Sequence, residues 1–139
     1  MTFTRREALV LGAGGLATIT LAPAAMAAAF EDAIAAFTGG AAAGEGGIEI
    51  SAPEIAENGN VVPVEVSAPG AEEIVVFAPG NPAPAVCNVK FGPLAGSQRL
   101  STRIRLAKTQ DVTALARMGD GSFVQVARTV KVTVGGCGG

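Results

Sequence analysis

The residues with the clearest chemical potential occupy the last five positions of the chain, Gly135-Gly136-Cys137-Gly138-Gly139. A cysteine thiolate is a strong nucleophile, and glycine leaves the backbone on either side of it free to adopt many conformations. At roughly 3.3 to 3.6 Å per extended residue, Cys137 could extend about 10 Å beyond Val134. The pattern predicts a flexible arm that carries a thiol into the pocket of another protein. A frayed chain end or a structural disulfide is the alternative.

The second cysteine, Cys87, lies in an apolar segment next to Val86 and close to Val89 and Phe91. A Cys87–Cys137 disulfide would close a loop of about 50 residues and contribute about 4 kcal/mol in the chain-entropy model. Because free cysteine commonly packs as a small buried apolar group, we favour an unreactive Cys87. With an ordinary pKa near 8.5, only about 3% of the Cys137 thiol would be ionised at pH 7. Activation is therefore expected from the enzyme that receives it.

Several catalytic classes are excluded by what the sequence lacks. The chain contains no His, no Tyr and no Trp, so Cys-His and Ser-His catalysis and histidine metal sites are ruled out. Its two cysteines cannot make a four-ligand metal site, and no dinucleotide-binding or phosphate-binding glycine motif is present. The sequence therefore predicts no metal, no cofactor and no unaided catalysis.

The first 27 residues have the features of an export signal. Arg5 and Arg6 precede an apolar run over residues 8–21, and the small-residue pattern Ala25-Met26-Ala27 follows. The apolar run is shorter than the roughly 20 residues that span a bilayer. Residues 4–9, TRREAL, resemble a twin-arginine signal, a route that exports folded proteins; an ordinary secretory signal is the alternative. We expect a periplasmic protein that begins near Ala28.

Charge is distributed unevenly along the expected mature chain. Without the leader, eight basic and eleven acidic side chains give a net charge of −3. Residues 28–89 contain nine acids and no Lys or Arg, whereas all eight basic residues lie in 90–139. Either the charges pair across adjacent strands, or a basic face attracts small oxyanions or an acidic partner. The acidic balance and the scarcity of aromatic residues disfavour nucleic-acid binding.

The segment 28–47 is predicted to contain a short helix and a linker. Phe30, Ile34 and Phe37 recur at the spacing of one helical face, and Gly39-Gly40 ends the pattern. This apolar stripe predicts a helix docked on the domain. Residues 41–47 have the composition of a flexible linker.

Residues 48–134 alternate between short β-branched runs and turn signals. About seven strands are predicted, at 48–50, 61–66, 74–77, 85–91, 99–106, 112–117 and 122–134. This pattern favours an immunoglobulin-like antiparallel β-sandwich over residues 48–134, followed by the arm at 135–139. A small antiparallel barrel is the alternative.

The twin-arginine-like leader, the all-β domain and the terminal Gly-Gly-Cys-Gly-Gly together resemble the SoxY family, the sulfur carriers of periplasmic thiosulfate oxidation. The resemblance implies that Cys137 is the covalent attachment site and that Gly135, Gly136, Gly138 and Gly139 form the flexible arm. It also implies a heterodimer with SoxZ, which has no export signal of its own. Homodimers of such heterodimers, linked through Cys137, are a further expectation, and neither nucleic acid nor a membrane is an expected partner.

The resemblance further implies transient docking to three enzymes. SoxAX, which contains c-type haem, would couple thiosulfate oxidatively to the thiol as an S-thiosulfonate. The hydrolase SoxB would release its terminal sulfone as sulfate. The dehydrogenase SoxCD would oxidise the remaining sulfane sulfur, so that SoxB could release a second sulfate.

Two other functions fit parts of the sequence. A ubiquitin-like sulfur carrier also ends in Gly-Gly, but it has a β-grasp domain with a central helix, which the pattern here does not predict. An exported structural or adhesion domain could dimerise through a Cys137 disulfide. In that case, blocking Cys137 would change assembly alone.

Overall fold

The computed structural model describes residues 22–135, which form one helix and nine strands. Helix α1 spans Ala22–Thr38. The strands are β1 (Ala43–Gly44), β2 (Glu49–Ser51), β3 (Ile55–Ala56), β4 (Val62–Ser67), β5 (Ala71–Phe77), β6 (Ala85–Lys90), β7 (Arg99–Ile104), β8 (Gln110–Met118) and β9 (Phe123–Val132). Each of the seven strands predicted from the sequence is present.

The strands form two sheets. The smaller sheet has the order β2-β4-β7, and the larger has the order β1-β9-β8-β5-β6. Strands β1 and β3 both pair with β9 in parallel, one at each end, whereas the other pairs are antiparallel. Two facing sheets of this order form the predicted immunoglobulin-like sandwich rather than a barrel. The two-residue strands β1 and β3 were not predicted, and β1 lies within the expected linker 41–47.

The main core lies between the two sheets. Along β4 and β5 the side chains that point inward are apolar and fully buried, as period-two alternation requires. These include Val62, Val64, Val66, Ile74 and Val76. From β8, the neighbour of β5 in the larger sheet, Val112, Ala114 and Ala116 join the same core. Burying a Val or Ile side chain fully contributes about 1.5 to 3 kcal/mol relative to leaving it exposed, so this layer supplies much of the stability.

A second, smaller core lies between the larger sheet and helix α1. Val75, Phe77 and Leu115 point to the outer face of the sheet and are covered by the helix. The rings of Phe30 and Phe77 meet edge to face with centroids 5.9 Å apart. Phe37 meets Phe123 in the same way at 5.5 Å. The predicted docking stripe is therefore confirmed, and the structure has three layers, helix on sheet on sheet.

The helix begins earlier than predicted. It starts at Ala22 rather than Phe30 and runs through the expected cleavage site at Ala25-Met26-Ala27. Alanine has the highest helix propensity, so this segment extends the helix without needing a packed face. At the other end the chain leaves the helix at Gly39 and Gly40, whose φ angles of 66° and 88° are typical of glycine at a helix C-terminus. In the described part of the chain, no helix has the length and hydropathy needed to cross a bilayer.

Some of the opposite charges pair across neighbouring strands. Arg99 on β7 pairs with Glu65 on β4, and Arg117 on β8 lies 3.2 Å from the buried carboxylate of Glu73 on β5. Arg117 also approaches Glu72 at 3.6 Å. Within residues 22–135, the other basic side chains form no ion pair; they are Lys90, Arg103, Arg105, Lys108, Arg128 and Lys131. Cross-strand pairing thus accounts for only part of the charge segregation.

Candidate functional site

Most of the predicted site lies beyond the described chain. Gly136, Cys137, Gly138 and Gly139 fall outside residues 22–135, and Gly135 is the last residue that the structure describes. The geometry of the site can therefore be built from the residues that lead into it. These are the end of β9 and the loops that surround it.

The end of β9 is held by backbone hydrogen bonds to the segment that contains β3. The Thr133 N–H donates to the Ala56 carbonyl at 3.1 Å, and its hydroxyl donates to the Glu57 carbonyl at 3.0 Å. The carbonyl of Val134 accepts a hydrogen bond from the Gly59 N–H at 2.7 Å. The chain is therefore still bonded to the sandwich two residues beyond the last strand residue.

Gly59 connects this chain end to the loop between β7 and β8. Its N–H donates to Val134, and its carbonyl accepts from the Leu106 N–H at 2.7 Å. The side chain of Asn58 shapes the turn by accepting a hydrogen bond from the Asn60 N–H at 3.0 Å. Asparagine commonly caps its own turn in this way. The buried Gly59 thus connects its own loop by hydrogen bonds to the end of β9 and to the loop between β7 and β8.

The loop between β7 and β8 is held by a buried pair of carboxamides. Asn81, 2% exposed, donates from Nδ2 to the Arg105 carbonyl at 2.7 Å and accepts from the Ala107 N–H at 2.9 Å. Gln110 donates to Asn81 Oδ1 and to the Lys108 carbonyl, both at 3.1 Å. No buried side-chain polar atom in the described chain lacks a hydrogen-bond partner. We call Asn81 and Gln110 the amide pair.

The described chain ends against this loop. An ideal Cβ built on Gly135 would lie 2.2 Å from the Ala107 carbonyl oxygen, far inside van der Waals contact. From the sequence, Gly135 was predicted to belong to the flexible arm because of the conformational freedom of glycine. The structure adds a packing requirement, because the backbone of Gly135 passes directly over another backbone.

Cys87 lies on β6, three strands away from β9 in the larger sheet. Three strand spacings of about 4.8 Å place the two strands about 14 Å apart. Cys87 pairs with the inward-facing Val76, so its side chain also faces the space between the sheets. Its thiol is free and half-buried, and burial raises the pKa of that thiol. The geometry favours the interpretation of Cys87 as a packing residue of low reactivity.

No group of three or more His, Cys, Asp or Glu side chains within residues 22–135 is arranged to hold a metal ion. The sequence singled out neither the amide pair nor Gly59, because isolated Asn, Gln and Gly residues between strands ordinarily indicate turns. The only hint was that Asn81 follows Gly80 inside a proline-rich loop.

Comparison with known proteins gives the family. Residues 34–137 match the family model of the sulfur oxidation protein SoxY, and the match extends through Cys137. The chain belongs to the SoxY family. The structure of the sulfur carrier protein SoxY from Chlorobium limicola f thiosulfatophilum aligns with a TM-score of 0.65 and 39% sequence identity, over 78% of this chain and 99% of that chain. Membership of this family supports a role as a sulfur carrier in sulfur oxidation rather than as an enzyme.

Other solved structures share the fold alone. A superoxide reductase (neelaredoxin) from Ignicoccus hospitalis aligns with a TM-score of 0.55 and 20% identity, over 65% of this chain and 82% of that chain. Among curated protein sequences, none matches the chain significantly. The likeness to this structure shows the shared fold alone, since one fold can serve unrelated functions.

Proposed function

We propose that this protein carries the intermediates of thiosulfate oxidation as covalent adducts of the Cys137 thiol. The main support for this proposal is the family match, whose last matched residue is Cys137. The anchorage of β9 supports it, since the strand leads directly from the core to the residues around Cys137. The segregated basic residues that form no ion pair in the described chain are suited to partners or cargo that carry negative charge.

The proposed chemistry begins with an oxidative coupling. The Cys137 thiolate and the sulfane sulfur of thiosulfate form a disulfide-type bond, giving a cysteine S-thiosulfonate, and two electrons pass to the c-type haem of SoxAX. Hydrolysis by SoxB breaks the bond to the terminal sulfone with one water and releases sulfate and two protons. A persulfide remains on Cys137.

The second half of the cycle restores the thiol. SoxCD oxidises the persulfide sulfur to a sulfonate with oxygen atoms from three waters, removing six electrons and six protons. SoxB then hydrolyses the Cys–S-sulfonate and releases a second sulfate. The carrier supplies the attachment atom and its presentation, and each enzyme supplies the catalytic groups that this chain lacks.

The proposal includes a location and a set of partners. The protein acts in the periplasm, after twin-arginine export as a folded heterodimer with SoxZ. It docks transiently with SoxAX, SoxB and SoxCD, and two heterodimers can join through a Cys137 disulfide. Gly136, Gly138 and Gly139 provide a slim arm that different active sites can admit, because glycine has no side chain.

A pair of matched cysteine variants tests the proposal. We expect Cys137→Ser to abolish thiosulfate-dependent electron transfer in the reconstituted system, while Cys87→Ser retains it. Intact-mass measurement of the wild-type protein after incubation with thiosulfate and partner enzymes should show thiosulfonate or sulfane adducts on the C-terminal peptide. Adducts found only on Cys87 would refute the assignment of the site. If Cys137→Ser altered only dimer formation, the structural or adhesion role would be the better account.

A further inference from the structure

The contact between Gly135 and the loop after β7 limits which residues can occupy position 135. The φ angle of Gly135 is not positive, so backbone conformation does not require glycine there. The requirement comes from distance, since a Cβ would lie 2.2 Å from the Ala107 carbonyl oxygen and 3.2 Å from its carbon. Both contacts are with backbone, which cannot rotate away as a flexible side chain could. Glycine at such positions marks the close approach of two backbones.

The Ala107 carbonyl cannot easily retreat from this contact. The Ala107 N–H is bonded to Asn81 at 2.9 Å, and the flanking carbonyls of Arg105 and Lys108 are bonded to the amide pair at 2.7 and 3.1 Å. Gln110 is itself fixed, because its Oε1 accepts from the Gly80 N–H at 2.7 Å. Buried, fully satisfied carboxamides of this kind rigidify the backbone that they bond.

The residue before Gly135 is held by a hydrogen bond to a second loop. Val134 accepts a hydrogen bond from Gly59, and Gly59 accepts one from Leu106, immediately before Ala107. Val134 and Gly135 therefore contact two loops that are bonded to each other. We call this arrangement of Gly59, Leu106 and Ala107 around Gly135 the arm seat.

We propose that Gly135 is a positioning residue, and that the arm seat fixes the point from which the carrier residues extend. This inference rests on the proposed carrier function and deepens it. Two extended residues span about 7 Å, so the Cα of Cys137 stays within about 7 Å of Gly135. Any enzyme that reacts with the thiol must bring its active site to the arm seat.

The variant Gly135→Ala tests this role without partner enzymes. We expect the added methyl group to displace the chain from the seat, which would break the Gly59–Val134 hydrogen bond. In the full chain, hydrogen exchange at the Gly59 amide should then accelerate by about tenfold or more, because exchange follows local opening. A nitroxide label on Cys137, in a Cys87→Ser background, should show a more mobile EPR spectrum than in the parent.

The matched control is Val134→Ala. Its side chain is 63% exposed and its carbonyl is retained, so both the Gly59 exchange rate and the EPR spectrum should stay at parent values. If Gly135→Ala gave the same two readouts as the control, the seat would not exist. If Gly135→Ala did not fold, hydrogen exchange in the parent protein would still test the proposal. Its Gly59 amide must exchange at least about tenfold more slowly than that of Gly96 in the exposed β6–β7 loop, and equal rates would overturn the proposal.

These outcomes separate the seat from the carrier function. Neither readout involves thiosulfate or an enzyme, so failure of the seat would leave covalent loading of Cys137 untouched. Conversely, a protein that never forms adducts on Cys137 could still show slow exchange at Gly59 and a restricted label.

Discussion

At the scale of single residues, the two thiols differ in their sequence neighbours. Cys87 faces the interior on β6, where burial raises the pKa of its thiol. In the sequence, Cys137 is flanked by two glycines on each side, and the nearest apolar residue along the chain is Val134. Because the thiolate is the reactive form, the two cysteines should differ in reactivity at neutral pH.

Alkylation kinetics measure this difference. With iodoacetamide at pH 7.5, we expect Cys137 to be modified about tenfold or more faster than Cys87, since Cys87 is both less ionised and less accessible. Raising the pH should narrow the difference in rate, because burial raises the pKa of the Cys87 thiol and its thiolate fraction therefore increases at higher pH. Peptide mass spectrometry after timed quenching gives both rates. Equal rates across the pH range would contradict the burial of Cys87 as the cause.

Single residues were also where sequence reasoning was least complete. The chemical uniqueness of Cys137 is visible from composition and from its glycine neighbours. The roles of Asn81 and Gln110 are not, because they depend on a contact between residues 29 positions apart. The packing requirement at Gly135 is equally invisible, since glycine in a glycine-rich stretch indicates freedom by default.

At the scale of elements, short β-branched and apolar runs between turn signals identified the seven longer strands. Alternating burial is clearest along β4, whose inward-facing valines are buried. The apolar spacing of Phe30, Ile34 and Phe37 likewise predicted the docked face of α1. The prediction missed the elements that have no hydrophobic periodicity. Two-residue strands such as β1 and β3 have no pattern to detect, and the alanines before Phe30 have no apolar face. Helix ends and very short strands depend on tertiary contacts that local sequence does not encode.

Strand β5 is buried on both faces, which gives an element-scale prediction. Phe77 is 1% exposed and meets Phe30 under the helix, so Phe77→Ala should lower the free energy of unfolding by about 3 to 5 kcal/mol. Phe123→Ala should cost clearly less, because that ring is half-buried and contacts the helix mainly through Phe37. Urea unfolding followed by circular dichroism compares the two. If the two variants lost similar free energies of unfolding, the helix would not be burying Phe77 on the outer face of β5.

At the scale of the whole molecule, polar and apolar contacts hold the sandwich at different places. The apolar layers run through its middle, whereas the amide pair joins the β5–β6 loop of one sheet to the β7–β8 loop that connects the two sheets. This end of the molecule also contains the arm seat. Here the amide pair fixes the β7–β8 loop through buried hydrogen bonds, and Leu106 anchors the same loop in the apolar core.

Removing the Asn81 carboxamide tests that assignment. In Asn81→Ala, the Ala107 N–H and the Arg105 carbonyl lose their partner, and a buried unsatisfied group costs about 1 to 3 kcal/mol. We expect a loss in this range or above it in the free energy of unfolding. The control, Asn60→Ala, alters an exposed side chain and should stay within about 0.5 kcal/mol of the parent. Equal stabilities would show that water replaces the carboxamide without penalty.

The start of helix α1 has a consequence for maturation of the proposed exported precursor. Ala24, Ala25 and Ala27–Ala29 are exposed, Met26 is half-buried, and the first residue of the helix in the outer core is Phe30. A largely exposed turn can unwind at little free-energy cost, because helices in proteins are stabilised mainly by their packed faces. In the proposed export route, a signal peptidase could therefore draw residues 24–29 into its cleft while the phenylalanine stripe stays docked. Cleavage of the leader would then leave the sandwich intact, as the proposed export of a folded precursor requires.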